Sequence, residues 1–172
     1  MRLYFFSNHY ISATQHGIQG IHSFGEIVLD LLNADRQRAQ LGFGVLRDFL
    51  SVEKTVIILN GGYASSLEAI HQRLGEIADS WNAGTEGMPV LLHAKFHEEQ
   101  AALNGALTSV AVLVPECSYF DARVPGRAQA RVALRTKMEE HGFFDTFEAS
   151  GAKDVFSPEE RLALVCMSFP LA

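Results

Sequence analysis

The stretch LYFFSNHYISATQHGIQGIHS, residues 3–23, decides the fold. Its apolar start, Leu3 to Phe6, predicts a strand, the polar run from Ser7 predicts a loop, and apolar residues then recur at helical spacing. A strand feeding a helix through a short loop is the opening unit of an α/β fold, and such folds set their sites at strand ends and first helical turns. Gln19 and His22, three residues apart, share a face of that helix. Function is sought first at this junction.

Working outward, residues 14–32 read as the first helix, with Ile18, Ile21, Ile27, Val28, Leu31 and Leu32 as its apolar side. Asp35 caps a second helix reaching about Leu50, and Val52 to Leu59 is a buried strand. Gly61 and Gly62 turn the chain into a helix over residues 64–80, with Leu67, Ile70, Leu74 and Ile77 on its apolar face and Ser65 or Ser66 as cap. Trp81 to Gly87 reads as a loop, and Val90–Phe96 and Ala106–Val114 as strands close enough to form a hairpin. The order βααβαββ predicts an α/β fold: a three-layer α/β/α sandwich around a mixed, mostly parallel four-stranded sheet.

Residues 1–118 are expected to form this α/β domain and residues 119–172 a mostly helical C-terminal extension. In the extension, Pro125 and Gly126 start a basic helix over residues 126–140. A loop with Phe143, Phe144 and Phe147 follows, and SPEE at 157–160 caps a last helix. Phe156, Leu162, Leu164, Val165 and Phe169 need cover, so the extension packs on the domain or on a partner subunit, which leaves a homodimer open.

Composition narrows the class. With 48% hydrophobic and 20% charged residues over 172 positions, the chain can bury a full core. No run approaches the roughly 18 apolar residues of a membrane span, and the start lacks the features of a secretory signal, so a cytoplasmic protein without a membrane partner is expected. Cys117 and Cys166 form no CxxC pair and read as reduced core residues.

A net charge of −6 excludes a uniformly basic polyanion binder, yet Arg127, Arg131 and Arg135 recur every fourth residue and would form one helical stripe suited to phosphates. A solvated face neutralised by Asp121, Glu139 and Glu140 explains the same pattern. His93, Lys95 and His97 share a strand face, but the lysine between the imidazoles would repel a cation, so no metal site is expected.

Three stretches carry a family resemblance: ISATQHGIQGIHS at 11–23, KTVIIL at 54–59 followed by SSLEAIHQRL, and NGALTSVAVLVP at 104–115. Together, over roughly the first 115 residues, they resemble the type 2 peptidyl-tRNA hydrolase family. Its motif SPGKLAAQxxHA falls with the serine on Ser12, the glutamine on Gln19 and the histidine on His22; the lysine position holds Gln15. The family's acidic residue falls near Glu98 or Glu99, and its threonine on Thr108.

The resemblance implies hydrolysis of the ester joining a peptide to tRNA, with peptidyl-tRNA as partner and no metal or organic cofactor. Glu98 or His22 would then orient a water, Gln15, Gln19 or Thr108 would donate to the oxyanion, and Arg127, Arg131 and Arg135 would hold tRNA. Two alternatives stay open. A charge lost at Gln15 fits a non-catalytic RNA or protein binder, and Gln19 and His22 as satisfied interior groups fit a purely structural role.

Overall fold

The computed structural model describes residues 1–84, 89–118 and 126–172, and of residues 53, 84, 117 and 127 the backbone alone. Strand β1 (Arg2–Asn8) is followed by α1 (Ala13–Asn33) and α2 (Arg36–Asp48), which ends in a π-helical turn, Phe49–Glu53. Next come β2 (Thr55–Gly62), α3 (Ala64–Gly84), β3 (Leu92–His97), the one-turn α4 (Gln100–Leu103) and β4 (Leu107–Val114). Helices α5 (Arg127–Glu140), α6 (Thr146–Ala149) and α7 (Pro158–Met167) complete the described chain.

The four strands form one open sheet in the order β2-β1-β4-β3. β1 runs parallel to β2, with Phe5 opposite Ile58, and antiparallel to β4, with Phe5 opposite Ala111. β3 is antiparallel to β4, the expected hairpin. The sheet is mixed, but it is not mostly parallel: one of its three pairings is. The hairpin reverses β4 before it meets β1, so a sheet whose inner strand comes from a hairpin cannot stay parallel.

Alternation along the inner strands divides the core. Tyr4 and Phe6 of β1, with Val110, Val112 and Val114 of β4, pack with Leu67, Ile70, Leu74 and Ile77 of α3 and Leu162 and Val165 of α7. Leu3 and Phe5, with Ala111 and Leu113, pack instead with Ile27 and Leu31 of α1 and Val45 and Leu46 of α2. All eight residues of β4 are buried, as a strand covered on both faces requires. Gly20 of α1 lies on the Phe5 ring, where a methyl group would overlap the ring atoms.

Several sequence expectations shift. Ile18, Ile21 and Leu32 do not join Ile27 and Leu31 on one apolar side of α1; they are exposed on the far side of the helix. Trp81 does not open a loop. It extends α3 by a turn, is 1% exposed, and donates Nε1–H to Pro89 O at 2.9 Å. β2 starts at Thr55 rather than Val52, because the chain from Phe49 winds through the π-helical turn and leaves it at Lys54 with φ 45°. Gly61 and Gly62 still belong to β2, and Gly62 takes φ 80° as the strand hands over to α3. α3 begins at Ala64, so Ser65 and Ser66 lie inside its first turn and do not cap it.

The last helix starts as expected, in a capping box of Ser157 and Glu160. Beyond it the chain pairs with the outer edge of β2: Asn60 N–H donates to Pro170 O at 2.9 Å and Ala172 N–H to Ile58 O at 3.0 Å. A third apolar cluster joins Leu134 and Met138 of α5 to Ala149, Phe156, Ala163 and Leu164. Burial pushes the Cys166 thiol up, which favours its protonated form. The start expected at Pro125, like Asp121, lies outside the described residues. Among the described residues no helix is long and apolar enough to cross a membrane.

Candidate functional site

Helix α1 begins where β1 ends, and Ser12 caps it. Ser12 Oγ accepts Gln15 N–H at 3.3 Å while Gln15 Oε1 accepts Ser12 N–H at 3.0 Å. This reciprocal pair satisfies two donors that a helix start leaves open. Gln15, Gln19 and His22 then follow at spacings of four and three, which keeps all three on one flank of α1.

Gln19 is the hinge of the site. It is 5% exposed, and both ends of its amide are engaged: Nε2 donates to Glu98 Oε1, and Oε1 accepts Thr108 Oγ1–H at 2.9 Å. Thr108 Oγ1 also lies 3.5 Å from Phe96 O. The adjacent Ser109 donates Oγ–H to the backbone carbonyl of Gln19 at 2.6 Å and so ties α1 to β4. Thus a carboxylate from the β3–α4 loop, an amide from α1 and a hydroxyl from β4 form one chain, with Glu98 at its less buried end. The amide orients the carboxylate, and the carboxylate is the group able to accept a proton from water.

His22 does not enter this chain. Its ring stacks on Phe96, with centroids 4.6 Å apart and planes 17° from parallel, on the exposed flank of α1. Gln15 stays exposed one turn before Gln19, its oxygen held by the cap. The structure therefore joins Gln19, Glu98 and Thr108 by direct bonds and brings Gln15 and His22 beside them without contact to the chain.

Other members carried no clear signal in the sequence. Asn8, at the carboxyl end of β1, donates Nδ2–H to Leu107 O at 3.2 Å and accepts Tyr10 N–H at 3.0 Å, linking the β1 loop to the start of β4. Tyr10 and Tyr63 face each other at 4.9 Å, and the Tyr63 hydroxyl holds the Tyr10 phenol above its ordinary pKa. His9 packs edge-on to both rings and lies 2.9 Å from Asn60 Nδ2 through Nδ1. The only available hint was position, since polar residues at strand ends are where α/β folds bind ligands.

The arginine stripe sits elsewhere. Arg131 and Arg135 border a cavity of about 690 Å³ between α5 and α7, floored by Leu134, Met138 and Leu164. The side chain of Arg127 lies outside the described residues. Lys137 of the same helix turns away and pairs with Glu160 at 2.7 Å.

The opposite face of β3 carries a second group of titratable residues. His93 and His71 lie 5.1 Å apart, and Lys95 bonds both oxygens of Glu68, at 2.7 and 2.9 Å. Burial, with smaller contributions from His71 and Arg38, lowers the His93 pKa to about 4. Among the described residues no group of three or more His, Cys, Asp or Glu could hold a metal ion. No model of a known protein family and no curated protein matches the chain.

Proposed function

We propose that the chain is a divergent relative of the type 2 peptidyl-tRNA hydrolases, acting on the ester between a peptide and the terminal ribose of tRNA. The observation that carries this reading is the Gln19 amide fixed between the Glu98 carboxylate and the Thr108 hydroxyl. The two apolar clusters on alternate residues of β1 and β4 support the three-layer sandwich that the resemblance implies. A cytoplasmic setting, where such substrates arise, belongs to the same proposal.

In this mechanism Glu98 takes a proton from a water as the water oxygen attacks the ester carbonyl. The carbonyl oxygen gains charge and is met by donors on the α1 flank, the Gln15 amide among them, since its nitrogen is not needed by the cap. Collapse of the intermediate expels the ribose oxygen, which receives the proton held by Glu98. Gln19 touches no reacting atom; it positions Glu98.

A second reading rests on Gln15. Where the resembled family has a cation, this chain has a neutral side chain whose oxygen serves the cap, which favours a scaffold that binds tRNA with little or no hydrolysis. Release of peptide from a peptidyl-tRNA analogue separates the two. Under the first reading Glu98→Gln lowers kcat by about 100-fold or more, as loss of a general base does. Under the second there is no turnover to lose. Under either, alanine at Arg127, Arg131 and Arg135 weakens tRNA binding and flattens its salt dependence. A chain that shows no turnover and no salt-dependent tRNA binding would remove both readings.

A further inference from the structure

Helix α1 is apolar on two sides, and among the described residues only one is covered. Gln19, Ser23, Ile27 and Leu31 face the sheet and α2, and they are buried. Ile18, Ile21, Leu29 and Leu32 are 48%, 68%, 50% and 64% exposed. At about 100° per residue, these four and Gly25 fall within a band of about 80° on the opposite side of the helix. A continuous apolar stripe along a 21-residue helix is unusual on a monomer's surface and marks a surface that is covered in use.

The order of residues says what covers it. The stripe is a mirror image of itself about Gly25: Ile21 stands as far before that glycine as Leu29 stands after it, and Ile18 as far before as Leu32 after. A two-fold axis crossing a helix at right angles requires this symmetry, because it lays residue i of one copy against the mirror position of the other. We infer that α1 is the contact of a two-fold homodimer in which the α1 helices of two copies pack antiparallel, with Gly25 against Gly25 at the crossing.

Three further observations fit a second copy. A Cβ placed on Gly25 meets nothing within 4 Å, so the central position is open and lets two backbones approach closely. Glu26 and Asp30 lie about 100° and 140° around the helix from the centre of the stripe, so the contact sets no carboxylate against its own copy. Antiparallel helices also bring opposite ends of their dipoles together. The interface requires nothing from α5–α7 or from the hydrolytic reading, so it stands or falls independently of both.

Sedimentation velocity on the full chain, from micromolar to sub-millimolar concentration, is the first measurement, and a concentration-dependent dimer is expected. Ile21→Lys and Leu29→Lys, both at exposed positions, are each expected to raise the dissociation constant at least about 100-fold with an unchanged circular dichroism spectrum, because a central apolar contact carries much of the affinity. The decisive experiment uses the pairing. A chain carrying Ile21→Glu and Leu29→Glu, and another carrying Ile21→Lys and Leu29→Lys, should each be monomeric, while their equimolar mixture forms a heterodimer. Gly25→Cys should also yield a covalent dimer on oxidation where the native chain does not. A native chain that stays monomeric, a dimer indifferent to Ile21 and Leu29, or a mixture that stays monomeric would each overturn the proposal.

Discussion

His93 is a polar residue whose cost of burial can be read directly. Its ring lies on the α3 side of β3, beside His71, and burial lowers its pKa from the usual 6.5 to about 4. Between those values the unfolded chain takes up a proton that the folded chain refuses, so acid favours unfolding. Stability should therefore fall as pH drops from 6.5 to about 4, by up to about 3 kcal/mol from this residue, and be unaffected by it above 6.5. His71 is shifted the same way, chiefly by burial, and steepens the slope. Urea unfolding at several pH values should show that His93→Gln removes most of this dependence; an unchanged slope would show that the imidazole is not held neutral. The contrast with Gln19 is instructive. Gln19 is more deeply buried, but its amide does not titrate and has a partner at each end, so its burial adds no pH dependence.

At the scale of elements, the cap of α1 and its site are made of the same residue. Gln15→Lys restores the charge that the resemblance expects but cannot accept the Ser12 N–H, so it should cost about 0.5–1 kcal/mol in thermal or urea unfolding. If the hydrolytic reading holds, the same variant releases peptide faster. A less stable and faster enzyme is the expected pair of results, and a less stable protein with no gain in turnover favours the binder.

The elements also show what could be read in the chain. β1, β4 and α3 were legible because apolar runs and three-four spacing report burial directly, and Ser157 and Asp35 marked true helix starts. Strand direction was less legible, since nothing local in residues 90–114 says that a hairpin will insert its second strand beside β1. The two sides of α1 were not legible at all. Periodicity registers that Ile18, Ile21 and Leu32 are apolar, but not whether anything lies over them. In the site, a resemblance pointed to Gln19, Glu98 and Thr108, and the fold joined them; Asn8, Tyr10, Tyr63 and Ser109 are ordinary loop and strand residues until the chain is folded.

For the whole molecule, the expected boundary near residue 118 meets a continuous core. Leu162 and Val165 of α7 share one cluster with Phe6, Leu74 and Trp81, and Phe169 packs edge-on to Phe6 at 5.5 Å. Residues 170–172 add a short pairing along β2. Ending the chain at residue 118 would uncover this side of the core and the β2 edge together. Each buried Leu or Val contributes about 1.5–3 kcal/mol, so Leu162 and Val165 alone account for about 3–6 kcal/mol, a large fraction of the usual stability of a small domain. A truncated chain is expected to aggregate or to show no cooperative thermal transition in calorimetry; a sharp transition would mark residues 1–118 as self-sufficient.

The bare backbone of Gly20 on the Phe5 ring sets the clearance between the leading helix and the sheet beneath it. Position 20 is thus a spacer next door to the amide that aligns Glu98, although it contributes no functional group. Gly20→Ala should lever the helix outward, lengthen the Ser109 tether, and draw the amide off its carboxylate while the rest of the protein keeps its shape. The tolerance of the machinery would then be set by a residue defined by the side chain it lacks.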